Sequence, residues 1–401
     1  MNDTNHFGRR DFLKQMTLAG AGLMTASAVA QPNCTPTTPQ SSAHAFYGQH
    51  QAGISTPVQK HIYFLVADLA TTDLAEIKAM FQTWTAYSKR LVAGKKVQEY
   101  GSNSYIPPED TGEADDLNPY NLTLTFGVSP TFFDKLNITH AKPAALVDLP
   151  HFPRDQLQAN YTGGDICIQA CADDPQVAFH AVRNLVRAAR GEITMKWSQA
   201  GFNSFENGNT PRNLFGFKDG TGNPQTEDDL NKTVWTQSND WLNNGSYLVV
   251  RRIRTFLETW DRTNLTGQEE TFGRYRQSGA PFGSQKEFDA IDINKKDENG
   301  KPIFPDISHV TLAKKAGFSM LRRSFSYASG IDEKGQFDAG LLFISFQENP
   351  ERFIKVQNTM GNLDKLNEYI THIGSGLFAC FAGVKDENDY LGKVLFEALK
   401  I

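Results

Sequence analysis

The string Asn213-Leu214-Phe215-Gly216-Phe217-Lys218-Asp219-Gly220-Thr221-Gly222-Asn223-Pro224 is the most distinctive in the chain. Its glycines fall as G-x-x-x-G-x-G. That is neither the dinucleotide fingerprint G-x-G-x-x-G nor a phosphate loop ending in Gly-Lys-Ser/Thr. Asp-Gly and Asn-Pro are strong turn dipeptides, so the plain reading is a tight turn with Asp219 bonding its backbone. The aromatic–glycine run ahead of it adds a second reading, a backbone packed closely against something flat. Further on, Asp306-Ile307-Ser308-His309-Val310-Thr311-Leu312 precedes Met320-Leu321-Arg322-Arg323-Ser324-Phe325-Ser326-Tyr327. A carboxylate, an imidazole and a permanent cation are the usual parts of acid–base and cofactor chemistry. None of the nine histidines has the HExxH spacing of a zinc hydrolase. A single-imidazole cofactor site stays open. His180, with Asn184 and Arg187 along its helix, reads as a hydrogen-bonded structural residue, and His140, His151 and His372 lack obvious polar companions.

The elements that must position these groups are α+β. Ile62–Val66 is a strand, and Thr72-Asp73 starts a helix with Leu74, Ile77, Met80, Phe81 and Trp84 on one face. Asn121–Gly127 alternates like a strand, and Ser129-Pro130 caps the helix after it. Asp165–Ala170 is a third strand; Asp174-Pro175 then opens a helix ending near Gly191, with Arg187 and Arg190 in its last turn. The second half repeats the theme with strands Ser246–Arg252 and Gly340–Gln347 and a helix opened by Asn349-Pro350. Residues 31–55, rich in Pro, Thr, Ser and Gln, read as a flexible linker. Two α+β domains follow, 56–210 and 211–401.

Composition excludes several classes. Against 45 Asp+Glu there are 40 Lys+Arg, and the net charge of −5 argues against a nucleic-acid partner. Four cysteines without a CxxC pair make neither a disulfide scaffold nor a structural zinc site, and a mean hydropathy of −0.44 excludes a membrane-spanning bundle. Residues 1–30 read as an export signal. The paired Arg9-Arg10 followed by Asp11-Phe12-Leu13-Lys14 match the twin-arginine type, and Ala28-Val29-Ala30 makes the cleavage site. Such a signal predicts a periplasmic protein exported already folded, which suits a bound cofactor.

Taken together, GFKDGTGNP, the His309 segment and Leu321–Tyr327 resemble the dye-decolourising (DyP-type) haem peroxidase family. The twin-arginine signal and the C-A-D-D-P-Q-V-A-F-H-A-V-R-N-L run at Cys171–Leu185 are similar to its exported EfeB-like deferrochelatase/peroxidase branch. The resemblance covers nearly all of the chain after the signal. It implies two ferredoxin-like domains of the dimeric α+β barrel type, with mainly antiparallel sheets and peripheral helices. It implies one haem b per chain, with His309 as proximal ligand of the iron. Gly220, Thr221 and Gly222 then lie close to the porphyrin, and Asp219 and Arg322 form the distal catalytic pair, Arg322 also touching the cofactor. A homodimer acting on hydrogen peroxide and small reductants, and serving an iron-uptake system, is the implied setting. One departure is that the family's Asn-Pro-Arg after the histidine's strand is replaced by Ala313-Lys314-Lys315-Ala316-Gly317; Lys314 or Lys315 then stands in for the guanidinium at a haem propionate, without its bidentate geometry.

For peroxide cleavage, a proton must leave one oxygen and reach the other. An ionised aspartate does both, contributing about 10²–10⁴-fold, and its reference pKa of about 3.9 predicts activity peaking well below neutrality. Arg322 stabilises the charge on the departing oxygen. A second carboxylate should hold the other N–H of His309, and Asp306 is too near in sequence to serve. Leu341, Phe343 and Phe346 are candidates for a dry wall of the pocket. The five tryptophans and twelve tyrosines are candidate oxidation sites for bulky donors, none singled out. The state of Cys34, Cys167, Cys171 and Cys380 is open. Removal of iron from haem with the porphyrin intact is the alternative activity, and a non-catalytic haem carrier a further one.

Overall fold

The computed structural model describes residues 43–206 and 209–401, which make one compact unit. The twin-arginine stretch, the cleavage site at Ala30 and Cys34 lie outside the described residues.

The first half runs α1 (Ala52–Ser55), β1 (His61–Leu69), α2 (Leu74–Val92), β2 (Thr123–Val128), α3 (Pro130–Lys135), β3 (Ile166–Ala172), α4 (Pro175–Ala188) and β4 (Ile193–Phe202). The second runs α5 (Glu227–Thr233), β5 (Ser246–Thr255), α6 (Leu257–Trp260), α7 (Leu265–Phe272), α8 (His309–Ala316), β6 (Leu321–Arg322), β7 (Phe325–Ile331), β8 (Phe337–Gln347), α9 (Glu351–Met360), β9 (Ile370–Cys380) and α10 (Lys393–Ala398).

All pairings between these strands are antiparallel. Strands of the first half lie in the order β2-β3-β1-β4 and those of the second as β9-β5-β8-β7, so each half is a ferredoxin-like βαββαβ sheet. The expected α+β fold is therefore the observed one. Two narrow seams, β2 with β9 at Gly127↔Cys380 and β4 with β7 at Phe202↔Ser326, join the halves into a closed barrel. Closure leaves no long free edge.

Alternation builds the two sides of the barrel wall. Ile62, Phe64 and Val66 of β1 meet Leu248, Val250, Leu342, Ile344 and Phe378 inside, while Leu65 and Ala67 face the helices. Helix α2 covers that outer face with Ile77, Met80, Phe81 and Trp84, and the Trp84 indole donates to Leu185 O in α4 at 2.8 Å. Asp73 and Asp174 cap α2 and α4 as their sequences predict. Ser129 does not cap α3: its hydroxyl lies 2.9 Å from Thr131 Oγ1, and Pro130 at the first position starts the helix instead. Helix α4 stops at Ala188, which leaves Arg187 in its last turn and Arg190 outside.

The end of the supposed linker is structural. Buried Gln51 accepts from Phe126 N and donates to Phe126 O and Phe381 O, each at 2.8–2.9 Å, and the His50 ring stacks on Trp235 at 3.7 Å. The linker-like composition belongs to the residues before it; Gln51 and Ile54 carry packing groups. Cys167, Cys171 and Cys380 are free, buried thiols, and burial raises the pKa of each. All five tryptophans are buried as well. Among the described residues, no helix is long and apolar enough to cross a membrane.

Candidate active site

His309 opens a helix rather than lying in a strand. Ser308, in extended conformation, is the N-cap: its hydroxyl accepts from Thr311 N and donates to Thr311 Oγ1 at 2.8 Å. A short polar run of this kind has no strand alternation, and the cap decides it. From that first helical position the His309 ring places Nδ1 2.7 Å from Asp364 Oδ2. The other oxygen of Asp364 accepts from Leu366 N, which fixes the buried carboxylate at the start of the turn Lys365–Glu368. A carboxylate can only accept here, so Nδ1 carries the hydrogen and Nε2 keeps the lone pair. Asp306 is exposed and faces Lys315 at 3.5 Å. Lys314 and Lys315 both lie in the exposed last turn of α8.

The aromatic side chains of the run pack within the protein. Phe217 stacks on Phe272 with ring centroids 4.1 Å apart, Phe215 packs on Trp260 at 4.7 Å, and Leu366 and Tyr369 complete the cluster. The ring of Phe272 stands 6.1 Å from that of His309. One aromatic core thus fixes both the glycine-rich loop and the imidazole.

Within the loop, Gly220 has φ +111°, a conformation other residues rarely adopt, and the turn it makes aims Asp219 at Arg322. Asp219 Oδ1 lies 3.3 Å from Arg322 Nη1, with each side chain about a quarter exposed. Asn223 locks this approach from both sides: its amide donates to Arg322 O at 2.7 Å, and its carbonyl accepts from Arg322 N at 3.1 Å. A Cβ on Gly222 would come 3.7 Å from Arg322 Nη2. Thr221 points elsewhere, its hydroxyl donating to Glu287 at 2.9 Å.

Asp219, Gly220, Asn223 and Arg322 line a cavity of about 220 Å³ together with Ser324, Ser326, Leu341 and Phe288. The Ser324 hydroxyl is buried beside the cavity without a hydrogen-bond partner, an orphan that sequence reasoning missed. Of the three residues expected to form a dry wall, only Leu341 is there. Phe343, on the same face of β8 as Leu341 but farther along the strand, packs on Phe353, and Phe346 faces the barrel interior. Arg323 is buried and donates to Thr56 O, Pro57 O and Gln59, so it is structural. His309 does not line this cavity; the structure groups it with Asp364 and Phe272.

These residues fit a haem. An imidazole with its second nitrogen held by a carboxylate is the donor that haem iron takes from one side, and a carboxylate beside a guanidinium on a cavity wall suits a small polar reactant. His180, read as structural, is held by Glu113 at 2.9 Å and by Asn184. His372 does have polar company, Asp155 at 3.5 Å with Arg251 beside it.

Comparison with known proteins bears on the whole chain. Residues 51–203 match the family described as Dyp-type peroxidase, N-terminal, and residues 210–385 match Dyp-type peroxidase, C-terminal. A protein of Escherichia coli (strain K12) named deferrochelatase is 36% identical over 418 residues, 98% of this chain and 98% of its own length. Among solved structures, ferric DtpA from Streptomyces lividans is 37% identical with a TM-score of 0.84, covering 90% of this chain and 100% of that one. A DyP-type peroxidase from Cellulomonas bogoriensis is 33% identical with a TM-score of 0.81, covering 89% of this chain and 99% of that one. With both family regions matched and the barrel shared, this chain belongs to the Dyp-type peroxidase family of haem-dependent enzymes.

Proposed function

We propose that this peroxidase works in the periplasm, holds one haem b per chain through His309, and reduces hydrogen peroxide at Asp219 and Arg322 while oxidising organic, dye-like donors. The observation that carries the reading is the Asp219–Arg322 pair, 3.3 Å apart on the wall of a polar cavity. When bound, haem supplies the redox chemistry that splits the O–O bond.

Every other step belongs to the chain. Asp219, ionised, takes the proton from one peroxide oxygen and returns it to the other. Arg322 remains protonated and offsets the negative charge that grows on the departing oxygen. Asp364 keeps the His309 lone pair on Nε2 and strengthens the imidazole as a donor. Gly220 and Gly222 let the loop backbone come close to a flat cofactor, as Thr221 does with its backbone only. Asp219→Asn and Arg322→Leu should each retain haem, by absorbance, and lose about 10²-fold or more in peroxide turnover. Full turnover in both would overturn the assignment of Asp219 and Arg322, whereas a haem-loaded parent without turnover would leave the carrier reading instead.

Kinship to proteins named deferrochelatase supports a second activity in the same pocket, removal of iron from haem with protoporphyrin left whole. Anaerobic incubation with haem and no peroxide separates the two, and absence of metal-free porphyrin fluorescence rejects it. The Arg9-Arg10 motif supports export by the twin-arginine route with cleavage after Ala30. A homodimer delivering iron to uptake components belongs to the same reading.

A further inference from the structure

Beneath the glycine-rich loop lies a carboxylate with no place in the chemistry above. Glu287, in the long connection between α7 and α8, is 8% exposed. Its Oε2 pairs with the Lys218 ammonium, and its Oε1 accepts from the Thr221 hydroxyl at 2.9 Å. Lys218 and Thr221 flank Asp219 on either side, with Gly220 between. Arg274 fastens the other end, donating to Glu287 O at 3.0 Å and to Gly279 O at 2.6 Å. Gly279 is itself close-packed: a Cβ there would meet Lys218 Cδ at 2.7 Å. The next residue, Phe288, forms part of the cavity wall.

We infer that Glu287 is a positioning residue for Asp219, a buried tether that clamps the loop on both sides of the catalytic carboxylate. The inference rests on Asp219 being the proton-transfer group. A surface tether would be loosened by water, whereas this one is shielded and its two oxygens are both engaged. Although burial opposes ionisation, the bonds from Lys218, Thr210 and Thr221 prevail, and the carboxyl sits below the usual glutamate range. The charged groups around Asp219 are Arg322, which it faces directly, Arg212 on the same cavity wall, its neighbour Lys218, the Glu287 that pairs with Lys218, and Arg274, whose pKa is lowered by burial and by the charge of Arg322. Glu287 is the negative member that balances this cationic set.

Two substitutions separate tether from charge. Glu287→Asp keeps the charge and shortens the reach; Glu287→Gln keeps the reach and removes the charge. Hydrogen exchange across residues 213–224 in the full-length haem-loaded protein should rise several-fold in both variants. In both variants kcat should fall with KM little changed, the split expected when a proton-transfer group is displaced and substrate binding is kept. Unchanged exchange in both folded variants overturns the proposal. If either fails to fold, Thr221→Val and Lys218→Met release one tether each from the loop side; higher exchange in either supports the role, and none in both rejects it. Exchange is read without turnover. An active Asp219→Asn would therefore sink the proton-transfer reading without touching this measurement.

Discussion

Asp364 shows what a single buried carboxylate does to an imidazole. By accepting from Nδ1 at 2.7 Å it fixes both the ring plane and the tautomer of His309. Replacing it with Asn removes the charge that enriches the ring. Asp364→Asn should therefore raise the reduction potential of the haem-loaded protein and weaken haem retention about 10–100-fold, checked by redox titration and haem transfer to an acceptor. An unchanged potential would show that the hydrogen bond does not tune the ligand. Motif residues such as Asp219, His309 and Arg322 could be singled out in sequence because they sit in unusual strings. Asp364, Glu287 and Ser324 could not. Each is an ordinary residue in an ordinary local setting, and its meaning comes from a partner far along the chain or from a cavity.

At the level of elements, hydrophobic period and capping carried much of the fold. Helix α2 is legible because burial on one face writes a regular apolar spacing, and strands β1, β3, β5 and β8 because burial on both faces writes short, nearly continuous apolar runs. Helix α8 is too short and too polar for that, so its start is settled by Ser308 alone. Residues 50–55 escaped because Gln, Ser and Gly look the same in a linker as in a docked segment. Gly340 marks another feature that spacing hides. A Cβ there would stand 1.9 Å from Ile253 O, since β5 crosses β8 very closely at that point. Gly340→Ala must push two backbones apart, and it should cost about 1–3 kcal/mol, measured as a lowered midpoint in urea. A midpoint equal to the parent's would contradict that packing.

Over the whole molecule, the fold is a barrel fastened by buried ion pairs as well as by apolar layers. Arg251 on β5 pairs with buried Asp155 and donates to Ser375 Oγ at 3.0 Å, which ties the 152–163 segment to β9 beside His372. Burial and then the charge of Arg251 lower the His372 pKa to about 3, while the nearby Asp155 carboxylate is already engaged by Arg251. The sign follows from linkage. The unfolded chain takes up that proton near 6.5, whereas the folded chain refuses it until about 3. The stability associated with neutral His372 is therefore complete above about pH 6.5 and declines as pH falls toward 3, by at most about 1.4 kcal/mol per pH unit. Urea midpoints at pH 7 and pH 5 should drop less in His372→Gln than in the parent; equal drops would contradict the assignment. This enzyme would then be losing stability over the acidic range in which Asp219 is expected to work best. Strands β1, β2, β3, β5 and β8 could be anticipated, whereas β4, β7 and β9 escaped, and the two seams that close the barrel involve few residue pairs and leave no pattern in sequence.

The axial ligand is the claim on which the rest depends. The absorption and magnetic circular dichroism spectra of the haem-loaded protein should carry a histidine-ligated signature that disappears in His309→Ala, with free imidazole restoring it. A His309→Ala protein that binds haem fully and keeps the parent's axial signature would contradict the account.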